Sequence, residues 1–303
     1  MSSASQSRSL WMAAAGVPLL LIALAAVQAK IDAETRAFSQ ENDQLLLHSG
    51  AAVRRLSLGY DALAADIYWT RAVQYYGGHV GSHNSDFGQL WPLLDIATTL
   101  DPKLIAAYHF GAIFLSEPPP GGSGRADLAV QLVRRGMAAD PENYFLVNDL
   151  GFVYYWYLRD YPAAANAYLE GSKIRNAPAW LKIMAALVAQ RGGSLDTSRM
   201  IWTEIYNSAQ DETVRERALV TLRGLRALSD EQLLDQLAQQ YKSRFGRFPA
   251  SAGELREAGL IRGNPADPAG YPYVFGSDGK TRLDPQSPVR IPQGLQLPGE
   301  QSP

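Results

Sequence analysis

Hydrophobic positions along this chain fall into distinct spacings, and each spacing predicts a different element. From Leu10 to Val27 they run without a single charge, "LWMAAAGVPLLLIALAAV", between Arg8 and Lys30. A signal-peptide core takes about 7 to 15 residues and a membrane helix about 20, so the run is long for the first and slightly short for the second. It predicts a transmembrane anchor over residues 10–28, behind a polar tail at 1–9. Val27-Gln28-Ala29 also resembles a signal-peptidase site, which keeps cleavage after Ala29 open as the alternative. Arg8 lies on one side and Lys30 and Arg36 on the other, so the count of basic residues does not orient the segment.

Residues 30–59 start polar and are expected to form a helical linker. From residue 60 the apolar positions adopt helical spacing, as in "DALAADIYWTRAVQYYG" and in Phe87-x2-Leu90-x3-Leu94-x2-Ala97. Prolines punctuate this stretch. Asp101-Pro102 and Asp140-Pro141 lie 39 residues apart, and Pro178 follows 37 residues later. Proline fits the first turn of a helix but not its interior, so each marks the seam between two helical units. A period of this size predicts a solenoid of helical hairpins. "SEPPPGGSG" is an inter-helix loop that absorbs the extra length of one unit.

Val147-x2-Leu150-Gly151-x2-Tyr154, followed by Tyr161-x2-Ala164-x3-Tyr168-x2-Gly171 and Pro178, resembles the tetratricopeptide repeat (TPR), with the second half one to three residues late. Ala107-x2-Phe110-Gly111-x2-Phe114 with Ala129-x3-Val133-x2-Gly136-x4-Pro141 is similar to the same scheme. More degenerate units flank these two, giving about four TPR-like hairpins within residues 60–228. Within "NDLGFVYYWYLRDY", Val147, Leu150 and Tyr154 recur at i, i+3 and i+7 and are read as packing, with Gly151 at the close approach of two helices. Phe145, Asn148, Phe152, Tyr155 and Trp156 fall on the other side. The resemblance implies that this side faces a groove where partner proteins bind, extended by Tyr108 and Lys182 in the flanking units. Phe152 and Trp156, as i,i+4 neighbours, are equally readable as contacts to the next repeat, and both readings stand.

After residue 228 the texture changes again. "SDEQLLDQLAQQYKSRFG" begins with a capping box, Ser229-x-x-Gln232, and predicts an amphipathic helix to Phe245. "YPYVF" and "KTRL" flank "GSDG" and predict a β-hairpin. Tyr241, Gly246-Arg247-Phe248-Pro249, Leu255, Gly259-Leu260 and Asp267-Pro268-x-Gly270-x-Pro272-Tyr273 resemble the soluble end of type II secretion pseudopilins and related type IV pilin-like proteins. Residues 229–285 are therefore expected to form a small α+β module. The chain departs from a pilin subunit in lacking the glutamate five residues into the hydrophobic helix, and its apolar segment lies far from this module. Asp278 and Asp284 are too few oxygens for calcium and are read as turn residues. The tail, 286–303, is proline-rich and expected to be disordered.

Composition removes several functions. The 28 Lys and Arg are spread among 30 Asp and Glu for a formal charge of -2, so no basic face for nucleic acid is expected. With no cysteine there is no disulfide framework, thiolate metal site, Cys nucleophile or Cys-linked lipid. No phosphate-binding glycine loop or nucleophile elbow occurs. His79-x3-His83 with Asp86 is a candidate metal constellation, but its glycine-rich setting, "GGHVGSHNSDFG", predicts a solvated loop.

The sequence thus predicts a mainly α chain: an N-terminal transmembrane helix, a TPR-like α-solenoid and a small C-terminal α+β module. The resemblances imply a non-enzymatic, cofactor-free scaffold in a bacterial membrane, single-pass with its bulk outside the cytoplasm. Its expected partners are other proteins, such as pilus or secretion components, with no nucleic acid. A permanent structural subunit of a membrane complex is the alternative, and a metal-dependent enzyme using His79, His83 and Asp86 the weaker one.

Overall fold

The computed structural model describes residues 22–30, 49–82 and 86–292. Its described part is mainly helical, with one short hairpin of strand. Residues 22–30 form a helix, α1, exposed along its whole length. Among the described residues no helix is long and apolar enough to cross a membrane, and most of the predicted anchor at 10–28 lies outside them.

The chain divides into two compact units, Met1–Arg125 and Ala126–Pro303. This division falls inside the stretch the sequence reads as one solenoid, at the end of the Pro-Gly loop. A loop that cannot continue a helix is where packing across the chain is easiest to interrupt.

In the first unit α2 (Gly50–Leu56) and α3 (Asp61–Ser82) pack on α4 (Leu90–Leu100), and α4 packs on α5 (Ile105–Ser116). Leu90, Leu93, Leu94, Ile96, Ala97 and Leu100 of α4 are buried. From α3 the buried positions are Ala65, Ala72 and His79, seven residues apart, a narrow and mostly small-residue stripe along one side of the helix. Arg54 reaches across to the carbonyls of Thr99 and Leu100 and satisfies the open end of α4. The loop after α5 folds back in the same manner. Ser123, Gly124 and Arg125 donate their N–H groups to the carbonyls of Phe114, Glu117 and Leu115.

In the second unit consecutive helices pack on one another: α6 (Ala126–Ala139), α7 (Tyr144–Phe152), α8 (Tyr161–Gly171), α9 (Trp180–Arg191), α10 (Leu195–Ser208) and the start of α11 (Glu212–Phe245). Side-chain caps explain the starts. Asn143 accepts from Phe145 N, Asp160 from Ala163 N and Asp211 from Thr213 N, each contributing about 1 kcal/mol. Pro102, Pro141 and Pro178 all lie in the connections between helices, where the sequence places them. Gly151 is required by a close approach, since a Cβ there would meet the ring of Tyr168 at 2.6 Å.

Two expectations for the C-terminal part are corrected. No helix begins at Ser229. Its hydroxyl donates to the Leu225 carbonyl one turn back, and α11 runs unbroken for 34 residues, about 50 Å, because no proline or turn-forming run interrupts it. The expected disorder of the tail does not hold for residues 286–292, which are placed with Ser287 and Val289 buried, and residues 293–303 lie outside the described residues. Ser287 donates its hydroxyl to Asp267, and Gln190 donates its amide to the Pro292 carbonyl at 2.7 Å. A Cβ on Gly224 would meet the Arg290 carbonyl oxygen at 2.2 Å, so that glycine makes room for the returning chain.

The hairpin forms where the alternation places it. β1 (Val274–Phe275) pairs antiparallel with β2 (Thr281–Arg282), and Val274 faces Arg282. Leu234 and Tyr241 of α11, Leu255 of α12 (Ala252–Glu257) and Tyr273 make a small separate core.

Candidate partner-binding surface

The aromatic block begins as α-helix and ends as something else. Val153–Leu158, "VYYWYL", is a π-helical turn, closed by Arg159 in the left-handed region at φ 54 with its N–H on the Tyr154 carbonyl. An i→i+5 turn holds more residues than an α turn, so the side chains after Phe152 rotate away from the positions that 3.6-residue spacing assigns. Tyr155 is the residue this moves. It is only 6% exposed, sits in the core with Tyr168, Leu181 and Ala185, and meets Tyr161 edge-on at 5.7 Å. The expectation that Tyr155 lines a groove is therefore corrected: its ring is packing.

Its neighbours remain outside. Phe145 is 57% and Phe152 38% exposed, and Asn148 between them is half-buried. Phe152 and Trp156 stack nearly parallel at 6.0 Å, while Trp156 rests its other side on the core. Tyr157 meets Phe152 edge-on at 5.9 Å, and Tyr144 stacks under Phe145 at 4.3 Å. Positions 145, 148, 152 and 156 thus form one stripe along α7 and the π turn, in which the Phe145 ring is mostly and the Phe152 ring about a third open to solvent. Beneath it Tyr168 holds its phenol proton well above the ordinary range. Burial is the main cause, assisted by the charge of Asp149 and by Tyr155.

The flanking candidates divide. Tyr108 is 0% exposed and donates its hydroxyl to the Pro102 carbonyl at 3.2 Å, so it offers no surface to a partner. Its ring lies in the core where the repeat register suggested a rim. Lys182 bridges from α9 to Glu204 of α10 with 2.5 Å between Nζ and Oε1, which engages its charge within the fold. Trp180, at the first position of α9, is largely exposed and was not singled out in the sequence. Its signal was its place just after Ala177-Pro178, at the mouth of a hairpin.

The first unit carries its own aromatic stack, which sequence reasoning also passed over. Trp69 lies over Phe114 at 6.2 Å, Tyr76 over Phe114 at 3.8 Å, and Phe110 extends the stack to solvent. The spacing was legible, Trp69 and Tyr76 being seven apart on α3 and Phe110 and Phe114 four apart on α5.

The metal constellation is not assembled among the described residues. α3 continues through Gly77 and Gly78 to Ser82, so His79 lies on a helix and not in the expected loop. It is buried, with Nδ1 2.8 Å from the Tyr75 carbonyl and its ring between Tyr75 and Phe87. Asp86 accepts from Gly88 N at 3.0 Å, and His83 lies outside the described residues. No group of three or more His, Asp or Glu able to hold a metal occurs among the described residues.

Asp267 shows why the Asp-Pro-x-Gly-x-Pro-Tyr string is structural. Its carboxylate accepts from Ala269 N at 2.8 Å, Tyr271 N at 2.9 Å and the Ser287 hydroxyl. Burial pushes its proton affinity up, but these donors outweigh it and leave the carboxyl below its ordinary range. Asp278, paired with Arg282 at 2.6 Å, is pulled down to about 2 by that hydrogen bond and by Lys280 N. Asp284 caps a turn through Gln286 N at 2.8 Å.

Compared with known proteins, the chain matches no protein-family model and no curated sequence.

Proposed function

We propose that the protein is a membrane-attached scaffold whose TPR-like hairpins hold a partner protein along the stripe Phe145, Asn148, Phe152 and Trp156. The observation that carries this reading is the division of labour within one aromatic block. Tyr155 does the packing, while Phe145 is mostly and Phe152 partly exposed to water, at an apolar cost that binding would relieve. Aromatic rings bury much area for little rotamer entropy, which suits them to holding an extended segment or a helix of a partner. Attachment through residues 10–28 rests on the uncharged run, and a role in assembling an envelope complex rests on the pilin-like resemblance of residues 229–285.

The test is co-purification from membranes of the Phe145→Ala/Phe152→Ala variant against the unaltered chain. Loss of a defined, stoichiometric partner with unchanged helicity supports the reading. Retention of the same partners overturns it.

A further inference from the structure

The first unit exposes an apolar ridge that its own core does not use. α2 ends at Leu56, and the turn to α3 carries Leu58 at φ 51 beside Gly59 at φ 91. A leucine in the left-handed region is strained, and this one is 86% exposed at the tip of the turn. Tyr60, Leu63 and Ile67 continue the ridge at i, i+3 and i+7, and all are more than half exposed, as is Leu56. Arg55 is exposed beside the tip, and the stripe ends at Arg71, which is half-buried with its guanidinium over the Tyr68 ring at 5.6 Å.

The exposed apolar positions run without a break from the end of α2 through the turn and along α3. The position of this ridge in the chain argues for a bilayer. Only residues 31–48 separate it from α1 and the uncharged run 10–27, and they reach at most about 60 Å even when fully extended. Exposed leucines, an isoleucine and a tyrosine are the composition of an interfacial contact, the ring and chains entering the headgroup boundary with the exposed Arg55 beside the tip to meet phosphate, while Asp61 and the exposed Asp66 keep the contact apolar rather than basic.

We infer that the Leu56–Ile67 ridge is a lipid-contacting surface that lays the first unit against the bilayer. This rests on the attachment through residues 10–28 proposed above. The absence of cysteine from the chain makes the test clean. Leu20→Cys, Leu58→Cys, Ile67→Cys and Ala62→Cys, each in the full chain and labelled with an environment-sensitive fluorophore, are reconstituted in phosphatidylcholine–phosphatidylglycerol vesicles containing nitroxide lipids. Ala62 is exposed on the far side of α3 and serves as the reference. The expected result is deep quenching at 20 and shallow quenching at 58 and 67, about twofold or more above that at 62. Quenching at 20 without quenching at 58 and 67 overturns the inference and leaves the anchor standing. Quenching at none overturns both. A blue shift at 58 that lipid nitroxides do not quench means that protein covers the ridge, which also overturns the inference.

Discussion

The helices from α6 to α10 and the module that follows Ser229 are held by different physics. In the first, Tyr155, Tyr168, Leu181, Ala185, Ile201 and Trp202 share an apolar core, and small residues such as Gly151 set how closely helices approach. In the second, the core is a few side chains around Tyr241 and Leu255, and polar bonds do the rest. Asp235 takes Thr281 N at 2.6 Å and Lys280 Nζ at 3.0 Å, Glu231 takes the Leu283 N–H, and Asp230 takes the Tyr273 hydroxyl at 3.1 Å. Carboxylates on one face of α11 thereby occupy the outer edge of β2, which would otherwise be open to pairing. A two-stranded hairpin is marginal alone, and this is how one survives on a thin core.

The difference teaches where each part breaks. The largest effect is expected at Tyr155→Ala, which empties a ring from the apolar core and should cost about 3 kcal/mol or more by thermal unfolding, despite its place in a surface-looking aromatic run. Asp267→Ala should cost about 1 to 3 kcal/mol, because two turn N–H groups and the buried Ser287 hydroxyl lose their acceptor. Its signature is local: faster hydrogen exchange at residues 269–292 with little change in α8 and α9.

Acid should sharpen the same contrast. Asp267 and Asp278 have folded proton affinities below the unfolded carboxylate value, so their contributions are present above about pH 4; that of Asp278 is lost as pH falls toward about 2, and that of Asp267 as pH falls through its own folded value. Glu231 acts oppositely. Burial raises it, so its ionisation weakens the module as pH rises through its own folded value. The module is expected to lose amide protection on acidification before α8 and α9 do, as read by hydrogen exchange corrected for intrinsic rates; simultaneous loss would refute the contrast. The smallest expected effect on stability is at Phe145→Ala, under about 1 kcal/mol, since that ring is mostly in water already.

The helical character and the seams at Pro102, Pro141 and Pro178 were legible because proline and 3.6-residue spacing act locally. So was the hairpin around Gly276 and Gly279. The π turn was not, since nothing in "VYYWYL" distinguishes i→i+5 from i→i+4 bonding, and one turn of altered register sent Tyr155 inward. The start assigned to Ser229 failed for a related reason. A capping box is a local signal, and here a continuous helix satisfied the same hydroxyl at Leu225. Tail packing depended on Gln190, Gly224 and Asp267, all remote in sequence from residues 286–292, and no local pattern announces such a meeting. His79 was misplaced because glycines at 77 and 78 lower helix propensity without forbidding a helix that Tyr75 and Phe87 hold in place.

The most direct test of the scaffold account is photocrosslinking in native membranes with a photoreactive residue in place of Phe152, with and without Phe145→Ala. The account predicts a defined crosslink to another protein that weakens sharply with Phe145→Ala while melting stays within about 1 kcal/mol of the unaltered chain. Crosslinks confined to the chain itself would contradict it and make the whole aromatic stripe packing.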